Sequence, residues 1–170
     1  HAFFRRQRQM CIRDSYRRFV VKFFETSCEK YKFNQIMGVT GVGKTLFIKE
    51  LSKNYQVIDF EGLANHKGSI LGNIPNKNQP SQKYFETLIY EKLNSFNSKK
   101  NIWVEAESIK VGKLSIPSKI WKNMPLGKNV KVISSLEERV RFILKDYKYF
   151  TNTPTPVSYT HLRAHETLNH

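Results

Sequence analysis

An α/β fold is predicted for this chain on three observations. Apolar strand-like runs alternate with helical ones, a glycine-rich loop lies at the first strand-to-helix turn, and two of the strands end in acid. Strands alternating with helices imply a parallel sheet, and the glycine loop makes it a P-loop NTPase-like parallel sheet with helices on both faces.

In chain order, Tyr16 to Glu29 sets Phe19, Val20, Phe23, Phe24 and Ser27 on one face, the period of a helix packed on a sheet. Tyr31 to Met37 reads as the first strand and Thr45 to Asn54 as the first crossover helix. Gln56 to Phe60 reads as a second strand, set parallel to the first by a right-handed crossover. Residues 61–72 and the polar stretch through Asn78 are too long and glycine-rich for a plain connector, which points to a functional loop. Gln79-Pro80-Ser81-Gln82 opens a helix whose stripe is Tyr84, Phe85, Leu88, Ile89, Leu93 and Phe96. Ile102 to Glu105 is a third strand, Pro117 to Met124 a short helix and Val130 to Ile133 a fourth strand. Ser135 and Glu138 form a capping box for a last helix carrying Leu136, Val140, Ile143, Leu144 and Tyr147.

The loop Gly38-Val39-Thr40-Gly41-Val42-Gly43-Lys44-Thr45 fills every fixed position of G-x-x-x-x-G-K-[ST], in the strand–loop–helix order the motif requires. Its glycines let the backbone curl so that successive N–H groups converge, and the following helix aims its positive end at the same point. Gly38, Thr40, Gly41, Val42, Gly43, Lys44 and Thr45 are therefore the candidate phosphate-binding residues. Lys44 would reach the outer phosphates, and the Thr45 hydroxyl suits a Mg²⁺ position.

Asp59 and Glu61 form a D-x-E pair that strand alternation would turn to one side, one suited to hold Mg²⁺ with Thr45 and the other to act as base. Glu105 competes for the metal-side role, since the strand adjoining a phosphate loop commonly ends in acid. Which strand adjoins the loop is open at this level. His66, between Asn65 and Lys67-Gly68-Ser69, has the intrinsic pKa for proton transfer. Asp59, Glu61, His66 and Glu105 are thus the candidate catalytic residues.

With 170 residues the chain has the length of one domain, and its formal net charge of +15 favours phosphate-rich partners, nucleic acid above all. It begins with His1, which reads as a fragment. Cys11 and Cys28 have no partner at metal-ligand or framework spacing, so a reducing cytoplasm is the expected compartment. No run approaches a membrane span, and the arginine-rich start lacks the apolar core of a secretory signal. Residues 1–15 and 151–170 are expected to be non-native or disordered tails around a domain at 16–150. The strings at residues 8–15 and 157–167 resemble translated adapter sequence. These tails hold five arginines against Asp14 and Glu166, so the basic character belongs mainly to the domain.

Four strings in order carry a further likeness: Gly38 to Thr45, Val57 to Ser69, Gln79 to Glu86, and Trp103 to Ser108 with Val111-Gly112. Together they resemble the phosphate-loop domain of the tRNA 2-selenouridine synthase family, from about Tyr16 to Phe150. The resemblance implies a transferase acting on the wobble uridine of tRNA, replacing the sulfur of 2-thiouridine by selenium from selenophosphate through an S-geranylated intermediate made from geranyl diphosphate. It implies tRNA as partner, and it marks Lys67, Gly68, Ser69, Gln79, Ser81, Gln82, Glu107 and Ser108 as candidate substrate-binding residues. The family also has a rhodanese-like domain with a catalytic cysteine, which nothing before Tyr16 supplies, and continues past Phe150. The fragment is therefore expected to be inactive in selenium transfer alone while retaining donor binding. Two other classes fit the same residues: a small-molecule kinase or ATPase using ATP or GTP, and a non-catalytic tRNA-binding module.

Overall fold

The computed structural model describes residues 2–68, 72, 74, 77–106 and 108–146. Its centre is a four-stranded sheet in the order β2-β3-β1-β6, with β1 (Phe33–Met37), β2 (Gln56–Ile58), β3 (Ile102–Glu105) and β6 (Asn129–Lys131) all parallel. A two-residue-per-strand antiparallel hairpin, β4 (Lys110–Val111) and β5 (Leu114–Ser115), stands apart from it. The helices are α1 (Ala2–Thr26), α2 (Lys44–Leu51), α3 (Phe60–Ala64), α4 (Gln82–Ser95), α5 (Ser118–Asn123) and α6 (Leu136–Asp146).

Successive strand residues face opposite sides, and the two sides bury different partners. Phe33, Ile58, Ile102 and Val104 join Val20, Phe23 and Phe24 of α1, Phe85, Ile89 and Leu93 of α4, and Ile120 of α5 in the larger core. Ile36 and Val57 join Ile48 of α2 in a smaller one, with Leu51, Trp103 and Val132 packed against it. Helices on both faces are thus present as expected, and α2 alone carries the buried part of the second face.

Several boundaries move. The first helix begins at Ala2 rather than Tyr16, because residues 2–15 hold neither proline nor glycine and consist largely of good helix formers. The second strand ends at Ile58, and Asp59 caps α3, its Oδ1 accepting from the Gly62 N–H at 2.8 Å. The supposed loop at 61–72 therefore starts as a helical turn, closed by Asn65 in the left-handed region at φ 51°. The helix after Pro80 starts at Gln82, with Ser81 accepting from the Tyr84 N–H as its cap. Of that helix's expected stripe, Phe85, Ile89 and Leu93 are buried, while Tyr84 is 57% exposed.

The last helix departs most from expectation. Its capping box forms, the Ser135 N–H donating to Glu138 and the Glu138 N–H to the Ser135 hydroxyl. Leu136, Val140 and Leu144 nonetheless face outward, at 68%, 46% and 64% exposure. Ile143 of the expected stripe does turn inward, and with Arg139 one turn before it meets the glycine loop. Tyr147 lies outside the described residues. Cys28 is structural, as its burial and Sγ–H donation to the Phe24 carbonyl at 2.8 Å indicate, and burial pushes its thiol pKa up. No described helix is long and apolar enough to cross a membrane.

Phe85 is completely buried in the larger core, so Phe85→Ala removes packed apolar volume and is expected to lower stability by about 3–5 kcal/mol. Tyr84→Ala, on the exposed side of the same turn, is expected to cost less than about 1 kcal/mol. Urea unfolding of the two variants checks the contrast.

Candidate phosphate site

The site grows out of the end of β1. Gly41 and Gly43 have φ of +82° and +85°, a region that side-chain-bearing residues rarely occupy, and Val42 N–H closes a turn on the Val39 carbonyl at 3.3 Å. α2 then begins at Lys44, so the first-turn N–H groups, which have no carbonyl four residues back in the helix, point at the loop. The concave socket expected from the glycine pattern is present.

The parallel register decides its acid. Ile36 pairs with Glu105 across β1 and β3, and the Ala106 N–H donates to the Ile36 carbonyl at 2.9 Å. β3, not β2, adjoins the loop strand, so Glu105 is the acid delivered beside Lys44. Lys44 Nζ stands 3.3 Å from Glu105 Oε1 and donates to the Gly38 carbonyl at 2.8 Å. Both side chains are largely buried, where an opposite charge is needed to offset lost hydration.

A cavity of about 460 Å³ opens over this pair. Thr40, Gly41, Val42, Gly43, Lys44 and Thr45 line one side, and Asp59, Glu61, His66, Lys67, Gly68 and Glu105 line another. All four candidate catalytic residues thus meet one space, although Asp59 and Glu61 arrive through a helix cap and a first helical turn, not through strand alternation. Asp59 already uses Oδ1 on the Gly62 N–H.

His66 is buried, and its Nδ1 accepts from the Gly68 N–H at 3.1 Å, which leaves the remaining proton of the neutral ring on Nε2. Loss of hydration pushes its pKa below the ordinary histidine value.

Gly38 gives its carbonyl to Lys44 and stands behind the cavity wall. Gln79, Ser81 and Gln82 do not line the cavity. Gln79 Nε2 donates to the Val111 carbonyl at 3.0 Å and its Oε1 accepts from the Lys113 N–H, while Gln82 exchanges the same pair of bonds with Ser115. These two glutamines act as an extra strand edge, pinning the β4–β5 hairpin to the start of α4. Ser108 is exposed and donates to the Lys110 carbonyl, away from the cavity. Ser69 and Glu107 lie outside the described residues.

Sequence reasoning missed Lys49, Ile74, Ala106, Phe142 and Ile143, all of which line the cavity. Lys49 follows Thr45 by four residues on α2, and that spacing alone could have found it. Phe142 and Ile143 had no such signal, because only the placement of α6 over the loop brings them in.

Among the described residues, no three His, Cys, Asp or Glu side chains gather as a metal-binding group. Thr45, Asp59 and Glu105 line the same cavity, and a hydroxyl with a carboxylate is the kind of oxygen donor set that would hold Mg²⁺ beside water and a ligand phosphate. When bound, it would neutralise charge on the phosphates.

The tRNA 2-selenouridine synthase AAA domain family matches residues 31–163. The tRNA 2-selenouridine synthase of Nitrosomonas europaea is 34% identical over 134 residues, covering 77% of this chain and 34% of that protein. Its counterpart from Cupriavidus pinatubonensis is 34% identical over 133 residues, 77% of this chain and 35% of that protein. The Chromohalobacter salexigens protein is 36% identical over 112 residues, 66% of this chain and 29% of that protein. The chain therefore spans about a third of the length of the curated relatives it matches. No solved structure matches it.

His66 supplies a pH test. Its folded pKa is depressed, so in the window between that value and the unfolded value of about 6.5 the unfolded chain binds the extra proton. The stability that neutral His66 contributes is complete above about pH 6.5 and is lost as pH falls through the folded pKa. Urea unfolding from pH 7.5 to 5 should show a steeper loss for the wild type than for His66→Gln, and equal slopes would refute the assignment.

Proposed function

This chain belongs to the tRNA 2-selenouridine synthase AAA-domain family, and on that premise we propose that it is the donor-binding part of a tRNA-modifying transferase. In this reading it serves the conversion of wobble 2-thiouridine to 2-selenouridine through an S-geranylated intermediate, with geranyl diphosphate and selenophosphate as donors. The observation that carries the reading is the socket itself, in which loop amides, Lys44 and an apolar wall of Ala106, Phe142 and Ile143 share one cavity.

In the geranylation step the uridine sulfur forms a bond to the first carbon of the prenyl chain as that carbon's bond to the diphosphate oxygen breaks. The electron pair leaves with the diphosphate, whose negative charge grows as it departs. In this reading the amides of Gly41, Gly43 and Lys44 and the Lys44 ammonium would meet that charge as it develops, which is how fixed dipoles in a partly dry site accelerate a reaction. Glu105 keeps the ammonium at the socket in the absence of ligand. The apolar residues suit a hydrocarbon tail that water would not solvate. Selenophosphate presents the same phosphate oxygens to the same amides. His66, neutral and buried, is suited to donate a hydrogen bond from Nε2 towards the donor.

The net charge of +15 supports tRNA as the second substrate, since phosphate contacts dominate nucleic-acid affinity. Selenium transfer in this reading also requires the rhodanese-like domain of the full enzyme, and the chain alone is expected to bind donors without completing the reaction.

Calorimetric titration of the 170-residue chain with geranyl diphosphate, selenophosphate and ATP, each with and without Mg²⁺, tests the assignment. Geranyl diphosphate is expected to bind, and Lys44→Ala to weaken it by about tenfold or more, as for loss of a charge-assisted hydrogen bond. Tight ATP binding with no response to geranyl diphosphate would support a kinase or ATPase instead. RNA affinity untouched by Lys44→Ala, with no diphosphate bound, would indicate a tRNA-binding module.

A further inference from the structure

We propose that Arg139 is a positioning residue for the phosphate socket, acting from α6 on the peptide that joins Thr40 to Gly41. The inference rests on the reading of the loop as a phosphate binder, and it concerns how the loop backbone is oriented for that ligand.

Arg139 lies 99 residues from Thr40 in sequence, yet its Nε–H donates to the Thr40 carbonyl at 3.1 Å. A trans peptide points its C=O and the following N–H in opposite directions. Holding the Thr40 carbonyl towards α6 therefore turns the Gly41 N–H away from α6. Gly41 itself lines the cavity, and on the phosphate-binding reading of the loop its N–H is one of the amides that would meet the ligand.

α6 sits directly on this peptide. A Cβ built on Gly41 would stand 2.7 Å from Ile143 Cδ1 and 2.9 Å from the Arg139 carbonyl oxygen. The glycine thus meets two requirements, a left-handed φ and the close approach of a helix. Arg139 and Ile143, four residues apart, form the row of α6 that meets the loop, and the Ser135–Glu138 capping box sets where that helix begins. A loop with two left-handed glycines has little intrinsic preference for one peptide orientation. An external hydrogen bond supplies that preference before a ligand arrives, which lowers the ordering cost of binding.

The role assigned is that of a donor at one depth along the side chain, not of a charge on the ligand. Glutamine carries an N–H the same number of bonds from the backbone as Arg139 Nε, without charge. Lysine keeps the charge and has only a methylene at that depth. Pyrophosphate binding to the 170-residue chain is measured by calorimetry for the wild type, Arg139→Ala, Arg139→Gln and Arg139→Lys. The Gly41 amide resonance of each ligand-free protein is followed by ¹⁵N-glycine NMR.

Arg139→Ala is expected to weaken pyrophosphate about tenfold and to shift the Gly41 amide, as loss of one bond from a charged donor would. Arg139→Gln should return to within about threefold of the wild type, and Arg139→Lys should stay near the alanine variant. Rescue by lysine and not by glutamine overturns the proposal in favour of direct charge contact. An unmoved Gly41 amide in Arg139→Ala overturns it whether or not pyrophosphate binds. A wild type that fails to bind pyrophosphate overturns the phosphate reading itself and this role with it. If the alanine variant does not fold, the glutamine and lysine variants alone decide between the two accounts.

Discussion

The register of β1 against β3 is the constraint on which the site depends. Because Ile36 pairs with Glu105, β3 ends its acid one residue before β1 gives way to the glycine loop, and the carboxylate meets Lys44 as α2 begins. A slip of one residue would turn Glu105 to the opposite face of the sheet, towards the large apolar core, because strand side chains alternate. If β1 turned over instead, Ile36 would lose contact with Ile48 of α2. Packing and function therefore specify one register together.

The two faces of the sheet divide the labour. α1, α3, α4 and α5 share a large apolar cluster with one face, and most of the hydrophobic stabilisation comes from there. The other face is thinly covered by α2, with Ile36, Ile48 and Val57 at its centre. Polar chemistry can be held at the rim of that thinner face because the stabilising core lies elsewhere. The buried Lys44–Glu105 pair is costly to desolvate, and its value lies in keeping a cation where an anion is to arrive.

Around that pair the cavity is assembled from segments with separate local reasons to be where they are. Asp59 is held by the start of α3, and His66 by the Gly68 N–H. Gln79 and Gln82 tie the β4–β5 hairpin to α4 without entering the cavity. α6 reaches the loop from almost a hundred residues further along the chain, and its adjoining row of Leu136, Val140 and Leu144 stays exposed. One helix thus serves the site with one row and leaves the other to solvent.

The sequence by itself determined the parallel α/β class, the socket at Gly38 to Thr45, the capping box at Ser135 and Glu138, and the family. The first three depend on short-range chemistry, namely period, glycine spacing, or a side chain reaching a backbone group three residues away, and the family on four short strings in a fixed order. Tertiary structure alone decided that Glu105 and not Asp59 stands beside Lys44, because strand order is a long-range choice that no local pattern encodes. It also turned Gln79 and Gln82 from candidate ligands into hairpin clamps, and it brought Arg139 and Ile143 onto the loop. A helical stripe states that a face is apolar, and which row of the helix meets a neighbour is settled only by where that neighbour lies.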